Sequence, residues 1–198
     1  MSLNLMDLVQ QQLSGDAVEK MAANAGVDAS QAQGALSSII PTLLGGLSRN
    51  AASPDGANAL FSALDRDHDG SVLNDITGFF SNGGDAQNGD KIVNHILASD
   101  KDNVQQGLAA SSGLGVSQIA GLMGQVAPFL MGLLGQQKAQ QGLDVSGLAG
   151  LLGGQQQNVQ AAAPAGIMGM ITGFLDQNKD GNVMDDAMNM IGGFFNKK

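Results

Sequence analysis

The chain has 198 residues, room for one domain or two small ones, with a formal charge of −9 and 43% hydrophobic residues. Seven Phe stand with no Trp and no Tyr, so the core must be made of aliphatic side chains, Met and Ala, which pack best between helices. The acidic balance disfavours nucleic acid and anionic membrane surfaces as partners, and the absence of cysteine excludes disulfides, thiolate metal sites and cysteine nucleophiles.

Two compositional features carry more. Glycine is abundant, at 29 residues, many inside otherwise helical patterns where each costs about 1 kcal/mol relative to Ala, so helices must cross closely there or be locally soft. Of the 18 acids only Glu19 is a glutamate. Aspartate is favoured at turns, helix N-caps and hard-metal loops.

In chain order, MSLNLMDLVQQQL opens without a basic stretch and carries Asp7 early, so it does not read as a secretory signal, and a cytoplasmic setting is the default. Export by a route without a cleaved signal stays open. Ser14 is placed to cap a helix that stops near Gly26. Asp28 with Gln31 reads as a capping box opening a second helix, with Pro41 as a kink. Ser53-Pro54 gives an N-cap followed by proline at N1, starting a helix through Leu64. Asn88 or Asp90 precedes a short helix IVNHILA, Asp102 is placed to cap the next, and a long kinked helix follows from about Val116. Its apolar run, APFLMGLLG, is shorter than the roughly 20 residues that a bilayer requires, so no transmembrane segment is expected. The Gln/Gly/Ala-biased stretch after it predicts partial helix at LDVSGLAGLL and disorder at QQQ (155–157).

An internal repeat organises these elements. Residues 18–47 align without gaps to residues 105–134, with ten of thirty positions identical, among them Gly26/Gly113, Gln31/Gln118 and Pro41/Pro128. Each copy runs helix, glycine stop, capped helix, internal proline, and later an aspartate loop followed by Gly and Phe-Phe. The expected fold is therefore all-α: a duplicated helical unit in a compact bundle, each copy ending in a helix-loop-helix calcium loop. The copies span residues 1–85 and 86–198, the second with a longer Gln/Gly-rich insertion, and the two together can also make one pseudo-symmetric domain.

The chemistry sits in the two loops. Asp65, Asp67 and Asp69 alternate ahead of Gly70, and their counterparts are Asp176, Asn178, Asp180 and Gly181. A hard dication needs six to eight oxygens, alternate side chains in a tight loop can converge on it, and glycine permits the sharp turn. Ser71 and Asn182 would add backbone carbonyls, while Val72 and Val183 would point into the core. An EF-hand closes on a bidentate Glu at its twelfth position, but here that position is Ile76 or Ala187, and the available acid comes one residue earlier, at Asp75 or Asp186. The loops are EF-hand-like rather than true EF-hands. The expected cofactor is Ca²⁺, two per chain, preferred over Mg²⁺ because a flexible oxygen-rich cage suits the larger ion, with affinity near 10⁻⁵ to 10⁻³ M, roughly the weak end of the range. Whether the loops pair through their valines or stand apart is left open.

Other candidates are weaker. His68 is expected at an outward loop position and His95 on a helix surface or in the core. No Gly-x-Ser-x-Gly elbow, phosphate-cradling loop with Lys, or HExxH helix is present, and no enzyme or small-molecule substrate is expected. Ten methionines, including Met168, Met170, Met184, Met188 and Met190 around the second loop, either fill a core poor in aromatics or line a groove for a protein partner. The first is the favoured reading. The functional expectation is a calcium-binding structural or interaction module; the alternatives are a calcium sensor exposing a Met-rich surface and a membrane-active or self-assembling protein using the Gly-rich LLGG segments.

Taken together, NLMDLVQQQL, IIPTLLGGL, GDKIVNHIL, DNVQQGLAASSGL, APFLMGLLG and the aspartate loop followed by Gly and Phe-Phe resemble the bacterial "domain of unknown function 937" family, related to YidB-like proteins. The resemblance runs over residues 4–195. It implies a small helical bacterial protein and no established activity.

Overall fold

The computed structural model describes residues 5–13, 15–68 and 70–162, and among them the chain is all-helical, with no strand. The helices are α1 (Leu5–Gln12), α2 (Asp16–Ala25), α3 (Ala29–Ala51), α4 (Pro54–Asp67), α5 (Ile76–Ser81), α6 (Ala86–Leu97), α7 (Lys101–Ser112), α8 (Val116–Gln141) and α9 (Val145–Ala162). Short 3₁₀ turns at Ser71–Asn74 and Ala98–Asp100 lead into α5 and α7.

Two helices form the centre. Every residue from Ser38 to Ser48 of α3 and from Leu122 to Gly135 of α8 is buried, which is what a helix apolar on all sides requires. The other helices surround them: α2 and α4 pack on α3, α6 and α7 on α8, and α9 on α3 and α4. One core cluster draws on residues either side of position 85, from Leu5 and Met21 to Leu148 and Leu152. By length and composition α8 could cross a membrane, more than its APFLMGLLG run suggests, but 72% of its most apolar window lies inside the bundle.

Local chemistry sets most helix ends. α2 stops where Gly26 turns left-handed (φ 67°), with Gly26 N–H bonded to the Ala23 carbonyl and Val27 N–H to the Ala22 carbonyl, closing two otherwise orphaned groups. Gln31 Oε1 accepts from the Asp28 N–H at 3.2 Å, and Gln118 Oε1 from the Gly115 N–H at 2.8 Å, so α3 and α8 begin in the same way. Ser53 Oγ accepts from the Gly56 N–H with Pro54 at the first helical position, as the sequence predicts. Both internal prolines lie within continuous helix, Pro41 in α3 and Pro128 in α8.

Three expectations differ. α6 begins at Ala86, so Asn88 and Asp90 lie inside it rather than before it. The added turn brings Gly89 against the backbone of Gly124 on α8, where a Cβ on Gly89 would collide with the Gly124 carbonyl. α7 begins at Lys101, placing Asp102 within its first turn. The QQQ segment lies within α9, carried there by a helix already nucleated on the core through Leu148 and Leu152. Ser14 lies outside the described residues.

With few aromatics, polar side chains supply some of the specificity. Asn24 Nδ2 donates to the Phe80 carbonyl at 2.7 Å and to Gln125 Oε1 at 2.9 Å, and Gln125 Nε2 donates to the Met21 carbonyl at 3.3 Å, tying α2, α5 and α8. Phe80 beside them is wholly buried, edge-on to Phe79 at 5.1 Å and tilted against Phe129 at 5.9 Å.

Candidate metal centre

The first aspartate segment is more helical than its spacing suggests. α4 runs to Asp67, not Leu64, so Asp65 and Asp67 sit in its last turn and His68 ends it. Side chains two residues apart on a helix point to different sides, so these two carboxylates diverge. Each has a cation of its own. Lys138 of α8 is bonded through Nζ to Asp65 Oδ1, and Arg66 holds Asp67 Oδ2 through Nε at 2.9 Å and Nη2 at 2.7 Å. The Arg66 hydrogen bond is the main cause that lowers the Asp67 pKa below the usual carboxylate value.

The remainder of the segment is a turn fastened to α8. Gly70 is left-handed (φ 90°) and packed over Gln136. Ser71 begins the 3₁₀ turn, and Val72, expected in the core, is half-buried and outside the core cluster, its Cγ1 lying against Gly132 of α8 where a Cβ would collide with it. Asp75 caps α5, its Oδ1 accepting from the Gly78 N–H at 2.8 Å. Asp69 lies outside the described residues, as do all ligands expected from the second loop: Asp176, Asn178, Asp180, Asn182 and Asp186. Among the described residues no three of His, Cys, Asp and Glu are gathered to hold a metal ion. Convergence of Asp65 and Asp67 on one ion would require the last turn of α4 to unwind.

Two residues that sequence reasoning passes over dominate this corner. Lys138 is 8% exposed, an unusual burial for lysine, and its ammonium lies 3.7 Å from the centre of the Phe61 ring while pairing with Asp65. In the sequence Lys138 is one cation within QQKAQQ, and nothing there marks it as buried. His95 is exposed on α6. Met21, Met123 and Met131 are buried in the core. The methionines around the second loop lie outside the described residues.

Residues 7–137 match the model of a family described as "Bacterial protein of unknown function (DUF937)". The chain belongs to that family. The match takes in the helices from within α1 to within α8, together with the first aspartate segment, and ends one residue before Lys138; α9 and the second aspartate segment lie beyond it. No curated protein and no solved structure matches the chain.

Proposed function

We propose that the chain is a non-enzymatic helical module in which Ca²⁺ binds the aspartate-rich segments at 65–75 and 176–186 and stabilises the fold or an assembly built from it. The observation that carries this reading is the recurrence, 111 positions apart, of alternating side-chain oxygens before glycine: Asp65, Asp67, Asp69 and Gly70, then Asp176, Asn178, Asp180 and Gly181. Duplication of one helical unit accounts for that recurrence. It also accounts for the matched starts of α3 and α8, their internal prolines and the left-handed glycines Gly26 and Gly113.

The first segment has a means of acting on the core. Its turn is seated on α8 through Val72 and Gly132, so a change in the turn is felt at the most buried helix of the bundle. It also holds an internal competitor, because the Lys138 ammonium occupies the carboxylate that an ion at this segment would need. Calcium must displace that ammonium and unwind the end of α4, which places its affinity at the weak end of the calcium range. Two dications would offset four of the nine net negative charges, so binding and folding are linked.

The test is calorimetric titration of Ca²⁺ and, separately, Mg²⁺ into chelator-treated protein, alongside thermal unfolding in each condition. Two calcium sites per chain and a calcium-specific rise in melting temperature are expected. Absence of binding at millimolar Ca²⁺ overturns the reading. A hydrophobic dye in the same samples separates a structural ion from a sensor, which would bind dye only with calcium.

A further inference from the structure

We propose that Asn82 is a site of spontaneous modification: its side chain cyclises onto the main chain at Gly83 and hydrolyses to aspartate and isoaspartate, which loosens α5 from α2 and α8. The chain holds two Asn-Gly pairs, Asn82-Gly83 and Asn88-Gly89. In sequence the two are equivalent, since glycine leaves the attacking main-chain nitrogen unhindered in both. The fold makes them different.

Asn82 is exposed and closes α5 in the turn that leads to α6. Gly83 is left-handed (φ 89°), a Cβ there would meet nothing within 4 Å, and its N–H bonds to the Phe80 carbonyl at 3.1 Å. Release of that bond and rotation of Asn82 about its Cα–C bond bring the Gly83 nitrogen to the Asn82 Cγ. Asn88 is half-buried in the first turn of α6, with the Gly89 N–H bonded to the Asp85 carbonyl at 2.9 Å and Gly89 pressed on the Gly124 carbonyl of α8. The same rotation there must lift α6 off the central helix. Local openings of a folded chain range from nearly free at turns to the full cost of unfolding at packed helices, and the two amides lie toward opposite ends of that range.

In the reaction the Gly83 nitrogen bonds to the Asn82 Cγ while its proton passes through water to the leaving Nδ2. The Cγ–Nδ2 bond breaks, ammonia departs and a cyclic succinimide remains. Water then opens the ring: attack at Cγ gives aspartate on the ordinary main chain, and attack at the Asn82 main-chain carbonyl gives isoaspartate, with the chain running through Cγ. Both products lose the Nδ2 donor that bonds the Gly78 carbonyl at 2.8 Å, and both put a carboxylate at the C-terminal end of α5, where the helix dipole opposes it. Isoaspartate also lengthens the main chain just before Gly84. That residue is buried so closely that a Cβ on it would stand 3.0 Å from Gln125 Cγ and 3.2 Å from Phe80 Cδ1, so the added length is felt where α5 meets α8.

The experiment is incubation of the full chain at mildly alkaline pH, native and in urea, followed by peptide mapping with fragmentation that separates aspartate from isoaspartate at positions 82 and 88. In the native protein Asn82 is expected to convert faster than Asn88 by about tenfold or more, and in urea the two rates should converge. Asn82→Asp, which carries the simpler product from the start, should melt below wild type, and amide hydrogen exchange should show α5 opening faster. Native conversion at Asn82 no faster than at Asn88 overturns the proposal, as does a ranking that persists unchanged in urea. Wild-type melting and exchange in Asn82→Asp and in aged, isoaspartate-bearing protein overturn the loosening of α5. The aged protein supplies that measurement alone should the variant fail to fold.

Discussion

Lys138 and Asp65 stand 73 positions apart in the chain and meet as an ion pair between α8 and the last turn of α4, with the Phe61 ring under the ammonium. The lysine side chain is 10% exposed and the aspartate 61%, so water screens the carboxylate end while the cation is largely desolvated. The two partners are therefore not equivalent to remove.

Asp65→Ala leaves a buried ammonium with the Phe61 face as its remaining stabilisation and is expected to cost about 1–2 kcal/mol, reduced from the value for a fully buried pair by solvent screening. Lys138→Met keeps an apolar stem over Phe61, leaves only an exposed carboxylate behind, and should cost less. Urea unfolding of both variants in chelator checks the order. In calcium titrations Lys138→Met should bind more tightly at the first segment, since the competing ammonium is gone.

Gly132→Ala places a methyl where Val72 Cγ1 now sits, and the valine must move or the 3₁₀ turn must lift from α8. A loss of about 1–3 kcal/mol is expected, as for other overpacked sites. Val72→Ala in the same background should recover most of it. A double-mutant cycle by thermal melting measures that coupling, and additive costs would show that the two sites are independent.

Asn24→Ala removes the donor to the Phe80 carbonyl and leaves Gln125 Oε1 without that bond. The expected cost is about 1–3 kcal/mol. Amide hydrogen exchange should show α5 loosening first, because Asn24 holds it to α2.

The Arg66 hydrogen bond lowers the pKa of Asp67, and a depressed carboxyl stabilises the fold above its unfolded-state pKa. That contribution is lost as pH falls through the lower, folded-state value. Both side chains are well exposed, so the slope should be small and should flatten in salt. Comparison of Asp67→Asn with wild type at acid pH, at low and high ionic strength, reads it directly.

Asp176→Asn combined with Asp180→Asn should reduce the calcium stoichiometry from two to one per chain if the two segments bind independently. Loss of both sites together would mean that they act as a pair. Calorimetry on the full chain distinguishes the outcomes.

Much of the fold was legible because it is written in local signals. The stop at Gly26, the Asp28/Gln31 start, the Ser53-Pro54 start and the beginning of α8 at Val116 each depend on residues within one turn of one another. What was missed depends on distant partners. The early start of α6 answers to Gly124, 35 positions beyond Gly89, and the helical QQQ segment is held by a core contact made upstream of it. At the candidate metal centre the alternation of aspartates was legible, but its setting was not. Asp65 and Asp67 look alike in sequence, yet one answers to a lysine on α8 and the other to its own neighbour Arg66. Val72 was expected in the core but rests half-buried on α8, and nothing in the sequence marks Gly132 as the residue that receives it.

The contact of Gly89 with the Gly124 backbone has a mechanical meaning. Where two helices touch through side chains, one can slide or roll over the other by changes of rotamer. Where they touch through main chain, no such bearing exists. α6 is thereby keyed to α8 at Gly89 within a long shared contact, so a displacement of α6 is passed to the central helix rather than absorbed as slip.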